Sequence, residues 1–180
     1  MTEAEIIEQL QSERGRKQVF EYLLDTFQKP VYFYVRRMVV DHDDADDVTQ
    51  QAFIKAWKGL EKFRGESKLS TWLYRIAYNE SITFLGKKNK RNEISTEQIM
   101  YSMPSVLQED ALFDGDEIEA LLQSAVATLP EKQKAVFVMK YYEEKKYEEI
   151  SMITGTSVGA LKATFHIAVG KIEQLIKGKL

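Results

Sequence analysis

The chain has 180 residues, of which 44% are hydrophobic and 29% are charged, with a formal net charge of −3. This composition is typical of a globular protein with one domain or two small ones, and no stretch approaches the ~20 apolar residues that a transmembrane helix needs. The absence of cysteine excludes disulfides, thiolate metal sites and cysteine catalysis, and it favours a reducing, cytoplasmic location. The acidic start MTEAEIIEQL predicts no signal peptide.

Charge is distributed unevenly along the chain. Residues 62–92 contain eight basic and two acidic side chains. Residues 93–130 contain no lysine or arginine and eight acidic side chains. A basic segment of this kind is typical of a surface that binds phosphates, and the net charge of the whole chain conceals it.

Apolar residues at helical spacing dominate the first 90 residues. The periodicity between Val19 and Phe27 predicts one helix, followed by a break at Pro30 and a second helix over 31–40. Strand-like alternation is missing, so the sequence predicts an all-α fold. Residues 93–115 lose the helical periodicity and contain scattered serine, proline and glycine. We therefore predict two small helical domains, at 1–92 and 116–180, joined by a flexible acidic linker at 93–115.

The segment DHDDADDVTQQAFI at 41–54 raises the question of a metal site. A calcium loop that starts at the first aspartate would have alanine at positions five and twelve, where an oxygen ligand and a glutamate are required. His42 and Asp46 alone are too few ligands for a zinc site. We therefore predict no metal here. Carboxylates in a first helical turn favour a helix start capped by Asp43 or Asp44.

A helix from about residue 44 to residue 60 would have two contrasting faces. The predicted core face consists of Ala45, Val48, Ala52, Phe53, Ala56 and Leu60. The predicted outward face consists of Asp47, Gln50, Gln51, Ile54 and Lys58. Ile54 is the one large apolar side chain on this polar face. Spacing alone leaves two interpretations equally open, a protein-binding surface and a plain solvated face.

The segment FRGESKLSTWLYRIAYNESITFLGKKNKR at 63–91 combines basic and aromatic residues. Gly65 and Ser67 predict a loop, and Ser70 is a predicted N-cap for the helix that follows. Basic side chains beside aromatic and amide groups suit single-stranded nucleic acid, where bases stack and phosphates are neutralised. The alternative is an ordinary basic helix end that water solvates.

The C-terminal segment predicts a helix-turn-helix. A short helix near 147–153 precedes Gly155 in a turn, and Ser157 can cap the next helix, which would enter the major groove. A helical hairpin that does not touch DNA is the alternative. The outward face of the second helix lacks an arginine that could bind guanine. That face consists of Gly159, Ala160, Ala163, His166, Ile167 and Gly170.

Two motifs in order carry a family resemblance. The segment DDADDVTQQAFIKAWKGLEKFRGESKLSTWLYRIAYN resembles region 2 of a bacterial sigma factor of the extracytoplasmic-function (ECF) group of the sigma-70 family. The segment LPEKQKAVF…YEEISMITGTSVGALKATF resembles region 4 of the same group. The two together cover most of the chain, with no domain between them.

The resemblance implies a non-enzymatic transcription initiation factor that uses no cofactor. It would bind core RNA polymerase at the β′ clamp coiled coil and the β flap, recognise promoter DNA and help to melt the minus-ten region. An anti-sigma partner is also implied. The alternative is a helix-turn-helix regulator that acts without core polymerase, for which the C-terminal motif alone would suffice.

The resemblance also assigns three sets of residues. The core-polymerase contacts are Asp47, Gln50, Gln51 and Ile54, where Gln51 replaces the glutamate usual in the family. The minus-ten contacts are Phe63, Arg64, Lys68, Arg75, Asn79, Lys87, Lys88 and Arg91. The minus-thirty-five contacts are Ser157, Lys162, Ala163 and His166. The family commonly has basic residues at the positions of Thr164 and Ile167, so we expect minus-thirty-five recognition to be shifted in sequence or weaker.

Overall fold

The computed structural model describes residues 1–91, 94–113 and 115–179, and these residues form nine α-helices and no β-strand. In chain order the helices are α1 (Glu3–Gln9), α2 (Glu13–Val39), α3 (His42–Gly59), α4 (Leu69–Arg91), α5 (Thr96–Gln108), α6 (Glu117–Ala127), α7 (Glu131–Phe137), α8 (Tyr147–Thr154) and α9 (Val158–Lys177). A 3-10 turn at Leu60–Lys62 follows α3, and a π-helical turn at Val138–Tyr142 follows α7. The predicted all-α fold is confirmed. The predicted domain junction at 92 and 93 and the predicted domain end at 180 lie outside the described residues.

Helix α2 passes through Pro30, so the predicted break at this residue is wrong. Proline removes one backbone hydrogen bond and crowds the preceding turn. Here Leu23 precedes the proline and Val31 and Tyr34 follow it, and all three are fully buried in the same core. Tertiary packing on both sides of the proline therefore outweighs the local preference for a break.

Helix α3 begins two residues earlier than predicted, and its cap is neither Asp43 nor Asp44. The extended residue Asp41 is the N-cap, and its carboxylate accepts a hydrogen bond from the backbone N–H of Asp44 at 2.9 Å. The predicted core face of this helix is confirmed, because all six of its residues are buried.

Helix α1 supports the loop that precedes α4. The Glu3 carboxylate accepts a hydrogen bond from the backbone N–H of Leu69 at 3.3 Å, so α4 begins at Leu69 and contains Ser70, which is not its cap. Ile6 is buried in the core. In the loop, Gly65 has φ +74°, and a Cβ at this position would lie 3.0 Å from the Ile7 side chain.

Part of the predicted linker is helical, so the expectation of irregular structure throughout 93–115 is wrong. Ser95 caps α5, which continues through Pro104, and Met100 and Leu107 are buried. Leu107 packs with Phe113 and Ala120 in a small second cluster. Burial of apolar side chains at helical spacing stabilises this helix although its proline and serines predicted a loop.

The C-terminal half contains the predicted helix-turn-helix. Gly155 ends α8 in the left-handed conformation, with φ +75°. The Ser157 hydroxyl caps α9 by accepting a hydrogen bond from the backbone N–H of Ala160 at 3.3 Å. Phe165 of α9 stacks on Phe137 of α7 with ring centroids 5.8 Å apart. Phe165 also contacts Tyr147 of α8, with ring centroids 6.5 Å apart, so α9 packs on both α7 and α8.

The two halves of the chain pack against each other, and most of their buried apolar residues form one continuous cluster. Side chains from the second half also complete the C-terminal end of α2. The Gln123 amide donates to the backbone carbonyl of Arg37 at 3.1 Å, and Lys134 Nζ donates to that of Met38 at 3.4 Å. Carbonyls in a last helical turn lack intrahelical partners. Packing of the second half on the first therefore supplies hydrogen-bond donors to carbonyls that α2 alone leaves unpaired.

Candidate functional site

The outward face of α3 has the composition that the sequence predicted. Asp47, Gln50, Gln51 and Ile54 are all exposed, and we refer to these four residues as the α3 surface. Ile54 is 38% exposed, with carboxamides and a carboxylate around it. An apolar group framed by hydrogen-bonding groups is typical of a small protein interface. The α3 surface is therefore available to a partner in this structure.

An open groove of about 1220 Å³ runs beside the α3 surface, between α2 and α3. Its apolar lining includes Phe20, Phe53 and Trp57, with the Phe20 and Trp57 rings 5.3 Å apart. Asp47, Gln50 and Ile54 belong to both the groove and the α3 surface. An apolar floor with a polar rim is suited to the apolar side of a partner helix.

The start of α3 brings three possible metal ligands together. Atoms of His42, Asp43 and Asp46 lie within 4.8 Å of one another, and all three residues are exposed. The sequence pattern indicated His42 and Asp46 but not Asp43. His42 is already paired with Tyr32 and, at 3.4 Å, with Asp46. Exposed carboxylates at a helix start are common without a metal.

The loop before α4 holds three of the predicted minus-ten contacts, and they differ in accessibility. Arg64 and Lys68 are exposed, and Arg64 donates to the backbone carbonyl of Glu61 at 2.9 Å. Phe63 is only 6% exposed and packs on Trp72 with ring centroids 5.5 Å apart. In this conformation Phe63 is a core residue, and its ring is almost fully covered.

The remaining predicted minus-ten contacts lie along α4. Arg75, Asn79, Lys87 and Arg91 are exposed, whereas Lys88 is half-buried and pairs with Asp44 of α3 at 2.7 Å. Most of this set therefore forms a basic strip on one helix. Neutralisation of phosphates by such a strip favours binding to nucleic acid.

Arg75 also contacts the helix-turn-helix. Its Nε and Nη2 atoms donate to the backbone carbonyl of Met152, in the last turn of α8, at 3.1 and 2.6 Å. The proposed minus-ten helix is thus tied to the C-terminal half by one of its own candidate DNA contacts. No sequence pattern indicated this pair, because its members are 77 positions apart.

A polar cluster of the buried Tyr74 and the half-buried Glu143 and Lys145 lies beside that contact. The Tyr74 hydroxyl donates to the Glu143 carboxylate at 3.2 Å, and Lys145 Nζ lies 3.8 Å from the centre of the Tyr74 ring. Burial raises the pKa of Glu143 and lowers the pKa of Lys145, and each of the two charges partly offsets the effect of burial on the other. Burial, with Glu143 nearby, also raises the pKa of Tyr74. The sequence analysis missed this cluster, and spacing carries no signal for it.

On α9 the outward residues match those that the sequence predicted. Lys162, Ala163, His166 and Ile167 are exposed, and Ser157 is exposed at the helix start. A Cβ on Gly159 or Gly170 would meet nothing within 4 Å. The face therefore has little steric bulk at its two glycines, so a DNA groove could approach the backbone closely.

Comparison with known proteins places the chain in a family. The model of sigma-70 region 2 matches residues 23–91, and that of sigma-70 region 4 matches residues 119–172. The ECF RNA polymerase sigma factor SigW of Bacillus subtilis is 33% identical over 87% of this chain and 88% of its own length.

Two solved structures share the fold. One is CnrH in complex with the cytosolic domain of CnrY, with a TM-score of 0.72 and 17% identity over 99% of this chain and 98% of that one. The other is the sigma factor RpoE in complex with the anti-sigma factor NepR from Bartonella quintana, with a TM-score of 0.66 and 21% identity over 89% and 98%. The matched regions and the SigW relative show that the chain belongs to the ECF group of the sigma-70 family and is a transcription initiation factor, not an enzyme.

Proposed function

We propose that this sigma factor docks on the β′ clamp coiled coil of core RNA polymerase through the α3 surface. The observation that carries the proposal is the exposed Asp47–Gln50–Gln51–Ile54 face beside an apolar groove. Side chains on the outer face of a coiled coil can contact Ile54 and the groove, and the polar ones among them can bond to the carboxamides of the α3 surface. The β flap is the proposed contact of the C-terminal half.

The proposed minus-ten reader is α4 together with the loop before it. Arg64, Lys68 and Arg75 can neutralise phosphates, and Asn79 can bond to a base edge. Single-stranded DNA is the proposed substrate of this surface, since melting exposes bases and phosphates that its basic and amide side chains can hold. Phe63 would take part only if the loop rearranged to release its ring.

The proposed minus-thirty-five reader is α9. Lys162 can bind a phosphate, His166 can bond to a base edge, and Ile167 can contact a thymine methyl group. Because this face has no arginine, we expect it to add less affinity than a recognition helix with bidentate guanine contacts.

A regulator that acts through the helix-turn-helix alone is not the function of this chain, because region 2 matches a sigma factor as well as region 4. Two further proposals concern the location of the protein in the cell and its regulation. The first is a cytoplasmic location; among the described helices, none has the length and apolar character needed to span a bilayer. The second is control by an anti-sigma partner, since RpoE is solved with NepR.

Substitutions on the α3 surface test the docking proposal. We expect Asp47→Ala and Gln50→Ala each to weaken binding to core polymerase about tenfold. Each substitution removes one side of a hydrogen bond and leaves the polar group of the partner buried and unpaired in the interface. Gln51→Glu should strengthen binding. The measurement is the dissociation constant for core polymerase, by fluorescence anisotropy of labelled sigma factor.

Glu8→Ala is the matched control, because it removes an exposed carboxylate from α1, away from the α3 surface. Circular dichroism should show the same helix content for all four variants. Wild-type affinity in both Asp47→Ala and Gln50→Ala would exclude this face as the docking surface. Promoter-dependent transcription by the chain with core polymerase tests the wider assignment.

A further inference from the structure

We propose that a cavity at the C-terminal ends of α2 and α4 binds a small amphipathic anion, namely a single apolar chain with a carboxylate head. The cavity has a volume of about 690 Å³, which lies in the range of roughly 300–1,000 Å³ that is typical of small-molecule sites. Residues of α2, α4, α5 and α7 line it. It shares no residue with the α3 surface or with the groove beside that surface.

More than half of the residues that line the cavity are apolar. Val39 of α2 and Leu85 of α4 are buried. Helix α5 contributes the half-buried Ile99 and Met103 and the buried Leu107. An apolar chain that enters the cavity exchanges contact with water for contact with these side chains, and the gain grows with the apolar area removed from water.

Lys134 is the charged group that the cavity presents without a counter-charge. The side chain is only 5% exposed, and it lines the cavity. Its Nζ atom donates to the backbone carbonyl of Met38 at 3.4 Å, and among the described residues no carboxylate pairs with it. An ammonium group has three N–H donors, so two of them have no protein acceptor there. Buried charges in proteins are normally paired.

The other titratable groups that line the cavity already have partners. Their contacts are Lys88 with Asp44, Asp110 with Arg36, His42 with Tyr32, and Asp41 with the backbone N–H of Asp44. The carboxylates of the lining are therefore engaged elsewhere. Lys134 remains as the group that a ligand can pair with.

A carboxylate is the head group that fits this position. One unpaired ammonium matches one negative charge, and a carboxylate oxygen accepts a strong, charge-assisted hydrogen bond from it. Burial lowers the pKa of Lys134 to about 8, with Lys88 adding to the change and Glu131 opposing it, so the ammonium is still mostly protonated at pH 7. A ligand carboxylate at Nζ would supply the counter-charge that a buried ion needs.

Three probes with the same chain and different heads test the site on the whole 180-residue chain. Decanoate, decanol and decylamine are titrated at pH 7, below the concentrations at which they form micelles, and binding is measured by isothermal titration calorimetry. We expect saturable binding of decanoate, at least about tenfold weaker binding of decanol, and no binding of decylamine. Absence of saturable decanoate binding, or equal binding of all three probes, would overturn the proposal.

Removal of the charge tests the role of Lys134. Lys134→Met should weaken binding of decanoate at least about tenfold and leave binding of decanol unchanged, which also shows that the cavity is intact. Lys132→Met is the matched control, because Lys132 is an exposed lysine of the same helix that does not line the cavity. Unchanged decanoate affinity in Lys134→Met, or an equal loss in Lys132→Met, would contradict the assignment.

Obstruction of the cavity tests its apolar part without touching Lys134. Ser102 is an exposed residue of α5 that lines the cavity, so Ser102→Trp should weaken binding of both decanoate and decanol, by about tenfold. Ser105→Trp is its control, because Ser105 is exposed on the same helix outside the lining.

Equal affinities in Ser102→Trp and the wild type would exclude this cavity as the site, and circular dichroism checks that every variant keeps its helix content. None of these measurements uses core polymerase or DNA. A negative result therefore overturns the ligand site and leaves the proposed function as it stands.

Discussion

Lys134 lies where α7 meets the end of α2 and is only 5% exposed. Burial lowers the pKa of its ammonium group from 10.5 to about 8, with nearby Glu131 opposing the change and Lys88 adding to it. Its ammonium group donates to the backbone carbonyl of Met38 in the first half of the chain. Water solvates this charge poorly because the side chain is buried. Its protonation is coupled to folding for this reason.

The pH dependence of stability follows from this lowered pKa. Between about pH 8 and 10.5 the unfolded chain binds more protons at Lys134 than the folded chain, so the free energy of unfolding rises with pH. We expect a gain of about 1 kcal/mol from pH 7 to pH 9. Urea unfolding at pH 7, 8 and 9, at constant ionic strength, measures it.

Lys134→Met is the control for this effect, because methionine retains the length of the side chain without its charge. Lys145 has a lowered pKa as well, so the contribution of Lys134 is the difference between the wild type and the variant. The variant should show a clearly smaller rise in stability over the same pH range. Parallel pH profiles for the two proteins would rule out Lys134 as the titrating group.

At the scale of elements, the packing of α1 on α2 depends on one glycine. A Cβ at Gly15 would lie 1.8 Å from the backbone oxygen of Gln9, so any larger residue must displace α1. Gly86 also lies inside a helix, but a Cβ there meets nothing within 4 Å. Alanine at position 15 therefore tests the effect of close packing on stability, and alanine at position 86 tests the effect of helix propensity alone.

We expect Gly15→Ala to destabilise the protein by at least about 2 kcal/mol, because the steric conflict exceeds the gain in helix propensity. Gly86→Ala should stabilise it by roughly 0.5–1 kcal/mol. Thermal unfolding followed by circular dichroism measures both changes. A stabilising Gly15→Ala would show that α1 is free to shift at no cost.

Elements with strong periodicity were predictable from sequence. The core face of α3, the helix-turn-helix and the N-cap of α9 follow from spacing and from residues such as Gly155 in the turn and Ser157 at the helix start. Pro30 and α5 were mispredicted, because burial of neighbouring residues overrides a local breaker. The contacts between halves were missed, since pairs such as Lys134 and Met38, which are 96 positions apart, leave no periodic trace.

Less of the candidate site than of the fold was predictable from residue spacing. Periodicity placed Asp47 and Gln50 on an outward face, but only the family resemblance gave that face a partner. The family resemblance, and not its spacing, assigned Phe63 to DNA. Sequence alone could not distinguish such a ring from a core ring packed on Trp72.

At the scale of the whole molecule, the continuous core of the two halves predicts a compact free chain. A folded particle of 180 residues should have a radius of gyration of about 16 Å. Small-angle X-ray scattering of the free protein measures this value directly. An observed radius well above 20 Å would mean that the halves are apart in solution.

The end of α2 has a further consequence for the newly made protein. Its carbonyls at Arg37 and Met38 are bonded by Gln123 and Lys134, and Lys134 is synthesised 42 residues after position 92. At translation rates of 5–20 residues per second this delay is about 2–8 s. A nascent chain therefore presents the end of α2 and helix α4 without their partners from the second half for seconds, whereas a chain refolding from denaturant has no such interval.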